Sequence, residues 1–213
     1  MNALFTPLVG ALLIAGCTFV QAASSVDLTV KGSITPSACV PSITQGGIVD
    51  FGKVAAKDLS LNSTTPLPDA NLGLSLICEA PTLFALHGKD NRVGTAYYDH
   101  SHLYGLGIAN GDPNQKLGNY RFEVFNPVAD TEVIPLFSID RGQLWIANPV
   151  GSYFQHTAWL AFGEHLNGVN APKPVGNVTV DLRIRASIAP LRTLTVTEEI
   201  PLDGSVTVDV IYL

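Results

Sequence analysis

The histidines have the widest chemical range in this 213-residue chain, because imidazole can bind metals and transfer protons near neutral pH. Only the stretch Asp99-His100-Ser101-His102 places two of them close together. Residues two apart on a strand point to the same side, so a nearby carboxylate could complete a metal site there. A polar stretch containing Asp and His is more commonly solvated, and we predict no metal site. The five histidines are His87, His100, His102, His156 and His165.

The sequence patterns of common catalytic sites are absent from the chain. It has no HExxH pair for zinc, no GxSxG nucleophile elbow and no GK[ST] phosphate loop. Gly105-Leu106-Gly107 has no helical pattern after it, so it does not predict a dinucleotide site. The acidic residues are separated by turns and form no evident acid–base pair. We therefore predict that the protein is not an enzyme and has no cofactor.

The N-terminal segment is typical of an export signal. Residues 4–20 are almost wholly apolar and are followed by small residues, with Val20-Gln21-Ala22 as a cleavage tripeptide. The apolar run is short for a membrane span, so we predict a signal peptide over residues 1–22. The alternative is a lipoprotein signal, since Ile14-Ala15-Gly16-Cys17 resembles a lipobox that would make Cys17 the lipid-bearing N-terminus.

The number of cysteines also indicates an exported protein. If Cys17 is removed with the signal, Cys39 and Cys78 remain, and an even pair in an exported chain predicts one disulfide. Two buried free thiols are the alternative. A bond closing a loop of about 40 residues would stabilise the fold by roughly 3–4 kcal/mol on the chain-entropy model.

Charge and composition exclude one large class of partner. The formal net charge is -6, and the 12 Lys and Arg residues are scattered without a basic run. A nucleic-acid binder needs clustered cations to neutralise phosphates, so we predict no nucleic-acid partner. The 19 glycines and 14 prolines are spaced along the chain, which favours many short strands joined by turns.

The clearest element near the start of the mature chain is residues 26–34. Its odd residues are polar, whereas the even residues Val26, Leu28, Val30, Gly32 and Ile34 share one largely apolar face. This period of two predicts a half-buried strand, and Gly32 leaves a gap on that face for a bulky neighbour. A strand so near a terminus must pair with a sheet to stay ordered, either its own or that of another chain.

Further alternation predicts an all-β sandwich, with no stretch of helical period. We predict a loop over residues 55–71 and a terminal hairpin that turns at Pro201-Leu202-Asp203-Gly204, with Leu194 and Val196 in its first arm and residues 205–212 as its second. The other predicted strands are residues 48–54, 72–78, 82–87, 120–125, 132–139, 143–147, 153–162 and 177–188.

Several aromatic residues could instead form a sugar-binding surface. Trp145, Trp159, Tyr97, Tyr98 and Tyr104 are the candidates, although such residues more often pack in a sandwich core or pair across strands. On this alternative the protein is a self-complete periplasmic or secreted β-sandwich that binds a small molecule or glycan near residues 97–108.

Several stretches resemble the subunits of chaperone–usher fimbriae. Val30-Lys31-Gly32-Ser33-Ile34, followed closely by Cys39, is similar to a pilin donor strand before the first cysteine. Residues 49–54 resemble the next pilin strand, and Leu72–Glu79 resembles the strand with the second cysteine. The alternating C-terminal strand ends with a penultimate tyrosine, as in pilins. The middle of the chain, residues 85–92 and 104–107, is more similar to fimbria-associated proteins catalogued as a domain of unknown function.

The resemblance implies an incomplete immunoglobulin-like sandwich over residues 36–213, preceded by a donor-strand extension at residues 23–35. A chaperone strand, and then the N-terminal strand of the next subunit, would fill the open groove. The implied C-terminal chaperone-pairing residues are Val206, Val208, Val210 and Tyr212.

The implied role is that of a structural subunit of a Gram-negative bacterial fimbrium that supports cell adhesion. The protein would be exported to the periplasm and then to the cell surface. The implied partners are a periplasmic chaperone, an outer-membrane usher and other fimbrial subunits, with a host receptor or glycan as a further possible ligand.

Overall fold

The computed structural model describes residues 29–31 and 38–213. The chain divides into two units, residues 1–34 and residues 35–213, and the fold below is that of the second unit. No helix among the described residues is long and apolar enough to cross a membrane. The predicted signal peptide, Cys17 and most of the predicted donor strand lie outside the described residues.

Two antiparallel sheets form the second unit, which confirms the predicted all-β sandwich. Sheet 1 has the order β1-β3-β12-β6-β5, with β2 on β12 and β9 on β6; sheet 2 has the order β13-β4-β10-β7-β8, with β11 on β10. In chain order the strands are β1 (Cys39–Ile43), β2 (Thr65–Pro66), β3 (Ala70–Thr82), β4 (Phe84–Asp90), β5 (Tyr104–Gly105), β6 (Gly118–Ala129), β7 (Ile134–Ser138), β8 (Ile146–Ala147), β9 (Tyr153–Phe154), β10 (Trp159–Leu166), β11 (Val169–Pro172), β12 (Val175–Ile188) and β13 (Val206–Tyr212).

The core lies between the sheets and is built from the alternation visible in the sequence. On β12 the even residues from Val178 to Ile188 are buried, because a period of two turns every second side chain inward. Leu72, Leu74 and Leu76 on β3 are buried in the same cluster. The two strands pair directly, with Val180 opposite Leu74, so their apolar faces form one continuous inner surface. Sheet 1 is therefore organised around β3 and β12.

A smaller apolar cluster covers the outer side of sheet 2. Ala85, Leu136 and Ala161 are fully buried there beneath Trp145, although they face away from the main core. Trp159 packs against the same cluster. Both tryptophans therefore belong to the packing of sheet 2, as the structural alternative for these aromatic residues predicted.

Several predicted strands are confirmed, with small differences in their limits. The predictions at 72–78, 82–87, 120–125, 132–139 and 177–188 correspond to β3, β4, β6, β7 and β12. Residues 143–147 contribute only the two-residue β8. The prediction at 153–162 covers two strands, β9 and the start of β10, which join different sheets.

Three local predictions are wrong. Residues 48–54 form no strand, although Val49 and Phe51 do pack against the core. The terminal hairpin does not form, because β13 pairs with β4 rather than with the segment after Leu194. The predicted loop over residues 55–71 is interrupted at Thr65–Pro66 by β2, which pairs with β12. In each case the local pattern was apolar or turn-like, but the pairing partner was distant in sequence.

Candidate functional site

A groove of about 500 Å³ opens into the core between the edge strands β1 and β13. One wall is β1 and the residues that follow it, including Ile43, Val49 and Phe51. The other wall is β13 and the residues just before it, including Val206 and Val208. The floor is made of core side chains from sheet 1 and the 104–108 loop region: Leu72, Leu74, Leu106, Tyr120, Phe122 and Ile184.

Incomplete burial along the groove shows that this flank of the core is uncovered. Val206, Val208 and Val210 of β13 pack against the core, yet they are only half-buried. The matching inward residues of β12, such as Val180 and Leu182, are at most 2% exposed. The difference follows from topology, because β12 lies inside its sheet and β13 lies at an edge.

Both strands that flank the groove also present unpaired backbone. In the described part of the chain, β1 pairs only with β3, and β13 pairs only with β4. An edge strand exposes a row of N–H and C=O groups that can pair with another extended chain. The groove therefore offers an apolar floor between two edges, which is the geometry that an added strand requires.

One end of the groove is closed by contacts between its walls. The Cys39 N–H donates a hydrogen bond of 2.9 Å to the hydroxyl of Tyr212. Cys39 is also joined to Cys78, directly opposite on β3, by the predicted disulfide, which is confirmed. The bond fixes the start of β1 to the sheet, and Tyr212 connects it to the end of β13.

The opposite end is narrowed by the segment before β13. A Cβ atom added at Gly204 would lie 2.8 Å from the Tyr120 ring and 3.2 Å from Leu106. The Leu106 carbonyl also accepts a hydrogen bond of 3.0 Å from the Asp203 N–H. The absence of a side chain at Gly204 thus lets this segment lie against the floor.

The predicted C-terminal chaperone-pairing residues lie in one wall of the groove or close one of its ends. Val206 and Val208 line the groove, Val210 packs on the core beside it, and Tyr212 closes one end. Of the predicted donor-strand residues, Val30 lies in the described segment 29–31, where it is exposed and outside any strand. Val26, Leu28, Gly32 and Ile34 lie outside the described residues.

Sequence reasoning missed the groove contributions of Val49, Phe51, Leu202 and Gly204. A signal for the last two existed, because they have the same even parity as Val206 and Val208. The sequence predicts a hairpin turn at Pro201–Gly204, whereas the segment forms no turn and Leu202 packs against the core. The sequence pattern of residues 48–52 would be the same whether the segment packed on the core as a strand of a sheet or without a sheet partner.

The aromatic candidates separate into buried and exposed groups. Tyr104 is fully buried, and its hydroxyl donates to the Phe154 carbonyl oxygen at 3.0 Å. Burial raises the pKa of both Tyr104 and Tyr120 far above the ordinary tyrosine value. Tyr104 cannot contact a surface ligand, so a sugar site built on it is not possible in this fold. Tyr98 is exposed and lies against Tyr97.

The structure brings three of the five histidines together at the edge of sheet 1. His100 and His102 stack with ring centroids 5.6 Å apart, and the His156 ring faces the His100 carbonyl oxygen at 3.3 Å. Within residues 29–31 and 38–213, no group of three or more His, Cys, Asp or Glu side chains is placed to hold a metal ion.

Comparisons with known proteins identify a family model that matches part of this chain and relatives that align with most of it. The family model DUF1120, a protein of unknown function, matches residues 28–120. Protein GltF of Escherichia coli is 32% identical over 229 residues, which covers 89% of each chain. The uncharacterized protein YhcF of the same organism is 27% identical over 237 residues, covering 95% of this chain and 98% of YhcF.

Proposed function

This chain belongs to the same protein family as GltF, and we propose that it is a structural subunit of a bacterial surface fimbrium assembled by donor-strand exchange. The groove between β1 and β13 accepts the strand, and residues 23–35 of another subunit supply it. The observation that carries the proposal is the uncovered core between two edge strands.

The predicted donor segment matches the groove in length and pattern. Nine extended residues, 26–34, span about 30 Å at roughly 3.3 Å each. The seven residues of β13 span about 23 Å on the same rise, so the segment is long enough to run along its whole edge. Its alternating apolar face would lie on the groove floor, while its backbone pairs with one or both edge strands.

The groove also explains why a chaperone is required on this proposal. A folded subunit with an uncovered apolar flank and two free edges would aggregate before it meets the next subunit. A periplasmic chaperone that donates a temporary strand removes both hazards, and an outer-membrane usher then exchanges that strand for the donor segment. Export by the predicted signal peptide delivers the chain to these partners.

Binding of the donor peptide to the chain from residue 36 onward tests the proposal. The fluorescent peptide 23–35 should bind with defined stoichiometry and raise the melting temperature, whereas the peptide with Gly32→Trp should not. A scrambled peptide of the same composition controls for general apolar binding.

A matched pair of protein variants locates the binding site. Val208→Arg places a charge on the groove wall and should abolish peptide binding, whereas Thr207→Arg, one residue earlier on the outward face of β13, should leave it intact. The proposal is wrong if the full mature chain is monomeric and no more stable than the chain from residue 36, or if its Gly32→Trp variant assembles normally.

A further inference from the structure

The predicted donor segment is joined to the sandwich by a very short linker. The segment ends at Ile34 and β1 begins at Cys39, so only residues 35–38 lie between them. An extended chain spans roughly 3.4 Å per residue, so Ile34 and Cys39 are at most about 17 Å apart. Cys39 is itself fixed to the sandwich by the disulfide and by the Tyr212 hydroxyl. A subunit whose groove holds residues 26–34 must therefore lie against the Cys39 end of the subunit that donates them.

The surface at the Cys39 end carries exposed apolar side chains. Val40 and Ile77 are direct cross-strand partners on the outer face of sheet 1, and they are 66% and 62% exposed. Leu83 and Tyr212 are partly exposed at the same end of sheet 2. We call these four side chains the terminal patch. Exposed apolar side chains grouped in this way are typical of a surface that another molecule covers.

The charged part of the same sheet face lies far from the terminal patch. Arg121 on β6 and Arg185 on β12 are direct cross-strand partners, and both form ion pairs with Glu123. Ile77 pairs with Asn177 of β12, and Arg185 lies eight residues further along that strand, or about 26 Å at 3.3 Å per residue. The aliphatic pair at the Cys39 end can therefore be covered without burying these ion pairs.

The free edge of β1 offers few hydrogen-bond donors to an added strand. The Glu79 N–H donates to the Ala38 carbonyl oxygen at 3.1 Å, and such pairs recur at every second residue of an antiparallel ladder. The backbone groups of Cys39, Pro41 and Ile43 therefore point to the free edge. The Cys39 N–H is already bonded, and Pro41 has no N–H. Within β1, only Ile43 is left with an N–H directed outward.

The free edge of β13 is better suited to the donor segment, and it sets the direction of that segment. The Leu213 N–H donates to the Leu83 carbonyl oxygen at 3.1 Å, so the odd residues of β13 pair with β4. Its even residues, from Val206 to Tyr212, present their N–H and C=O groups to the free edge. Antiparallel pairing with β13, the slightly more stable arrangement, places Ile34 near Val206. The segment thus leaves the groove at the end that Tyr212 does not close.

We propose that the terminal patch is the surface on which a second copy of this chain packs, namely the copy whose groove holds the donor segment. The inference rests on the proposed function and adds a second contact to it. The Cys39 end of one subunit meets the Val206 end of the groove of the next, so the two surfaces in contact are different. Contacts of this heterologous kind repeat without closing and produce an open fibre.

Assembly of the full mature chain, measured by sedimentation over a concentration series, tests the inference. Ile77→Lys should raise the concentration at which half of the chains are assembled at least tenfold, because a charge buried in the contact loses its hydration. Ile146→Lys, on the sheet 2 edge strand farthest from β13, is the matched control and should assemble like the native chain. Thermal unfolding of each variant establishes that it is folded.

A longer linker tests the geometric argument. Eight Gly and Ser residues inserted after Ser37 let the two subunits stay apart while the strand is bound. Ile77→Lys with this insertion should assemble within threefold of the native chain that carries the same insertion. No rescue by the insertion, or equal weakening by Ile146→Lys, would overturn the inference.

Peptide binding separates this inference from the proposed function. Below the assembly concentration, the fluorescent peptide 23–35 should bind the native chain and Ile77→Lys equally well, because the peptide carries no second subunit to contact the terminal patch. If both chains bind the peptide and also assemble at the same concentration, this inference alone is wrong. If the native chain neither binds the peptide nor assembles, the proposed function is wrong as well.

Discussion

The ion pair between Arg92 and Asp203 connects the turn after β4 to the segment that leads into β13. Arg92 Nε donates to Asp203 Oδ2 at 2.8 Å, and Nη2 donates to Oδ1 at 2.7 Å, so the contact is bidentate. The turn itself is fixed by Asp90, whose carboxylate accepts from the Arg92 and Gly105 N–H groups. One cluster of side chains thus positions the wall of the groove next to Gly204.

This pair predicts a pH dependence of stability. The hydrogen bonds from Arg92, together with its charge, lower the pKa of Asp203. A carboxyl group whose pKa is lower in the folded state contributes stability above its ordinary pKa and loses it as pH falls through the lowered value. Because the pair is largely exposed and screened by solvent, we expect its contribution to stability to be small.

Urea unfolding at pH 5 and pH 2.5 measures the effect. Asp203→Asn should lose less stability than the native chain between these two pH values. Arg92→Gln should show the same reduced loss, since it removes the other partner. An unchanged pH dependence in both variants would contradict the assignment.

The residues that could be predicted are those whose role follows from local pattern or chemistry. An even pair of cysteines in an exported-type chain sufficed to predict the Cys39–Cys78 disulfide. Tyr104 was one candidate for a sugar-binding surface, with core packing as the more common role, and its burial could not be predicted because it depends on β5 and β9 both pairing with the edge of β6 opposite β12. The Arg121–Arg185 pair could not be found without the register of β6 against β12.

At the level of elements, β1 depends on the disulfide more than any other strand does. It has five residues, four of them exposed, and in the described chain it pairs on one side only. The bond joins residues 39 apart in sequence, which corresponds to about 3–4 kcal/mol of stabilisation on the chain-entropy model. We therefore predict that Cys39→Ser/Cys78→Ser is less stable by about this amount.

Hydrogen exchange would show where the stability is lost. The amides of β1 should exchange much faster in the double variant. The amides of β12, which lies inside the sheet, should change their exchange rates only as far as the free energy of global unfolding changes. Peptide binding to the groove should weaken in parallel, because β1 is one of its walls. Equal urea midpoints and equal β1 protection in both proteins would contradict the prediction.

Strands were predicted correctly where apolar and polar residues alternate over many positions. Prediction failed where pairing with a strand distant in sequence determined the structure. The fourteen residues of β12 alternate almost without interruption, so no other assignment competes. Residues 48–54 have a similar pattern over a shorter length, but they pack on the core without joining either sheet. The segment after Leu194 is extended in pattern, yet β4 is the neighbour of β13. Short strands carry too little information to specify which edge they will join.

At the scale of the molecule, the described sandwich has a core that its own residues from 38 onward leave uncovered on one side. The all-β class was predictable from alternation and from the spacing of glycines and prolines. The position of the groove was not, because it results from which two strands end up at the sheet edges. On the proposed function, the groove is the place where an alternating segment of another subunit binds.

A fused donor strand tests this interpretation in a single chain. In this variant the chain from residue 36 carries residues 23–35 after Leu213, joined by a short glycine-rich turn that lets the added strand run antiparallel to β13. Burying its apolar face and pairing its backbone should stabilise the fold, and each 1 kcal/mol gained raises the melting temperature by about 2–4 °C.

The fused protein should be monomeric, melt at a higher temperature than the chain from residue 36 alone, and no longer bind the free donor peptide. A fusion in which Val26, Leu28 and Val30 are replaced by Asp keeps the length and the turn but removes the apolar face, and it should give none of these effects. If the native and Asp-substituted fusions melted at the same temperature, the groove would not be a strand-binding site. If the groove does bind the strand, the gain in melting temperature should increase with the apolar area that the strand buries, because the groove floor is made of core side chains.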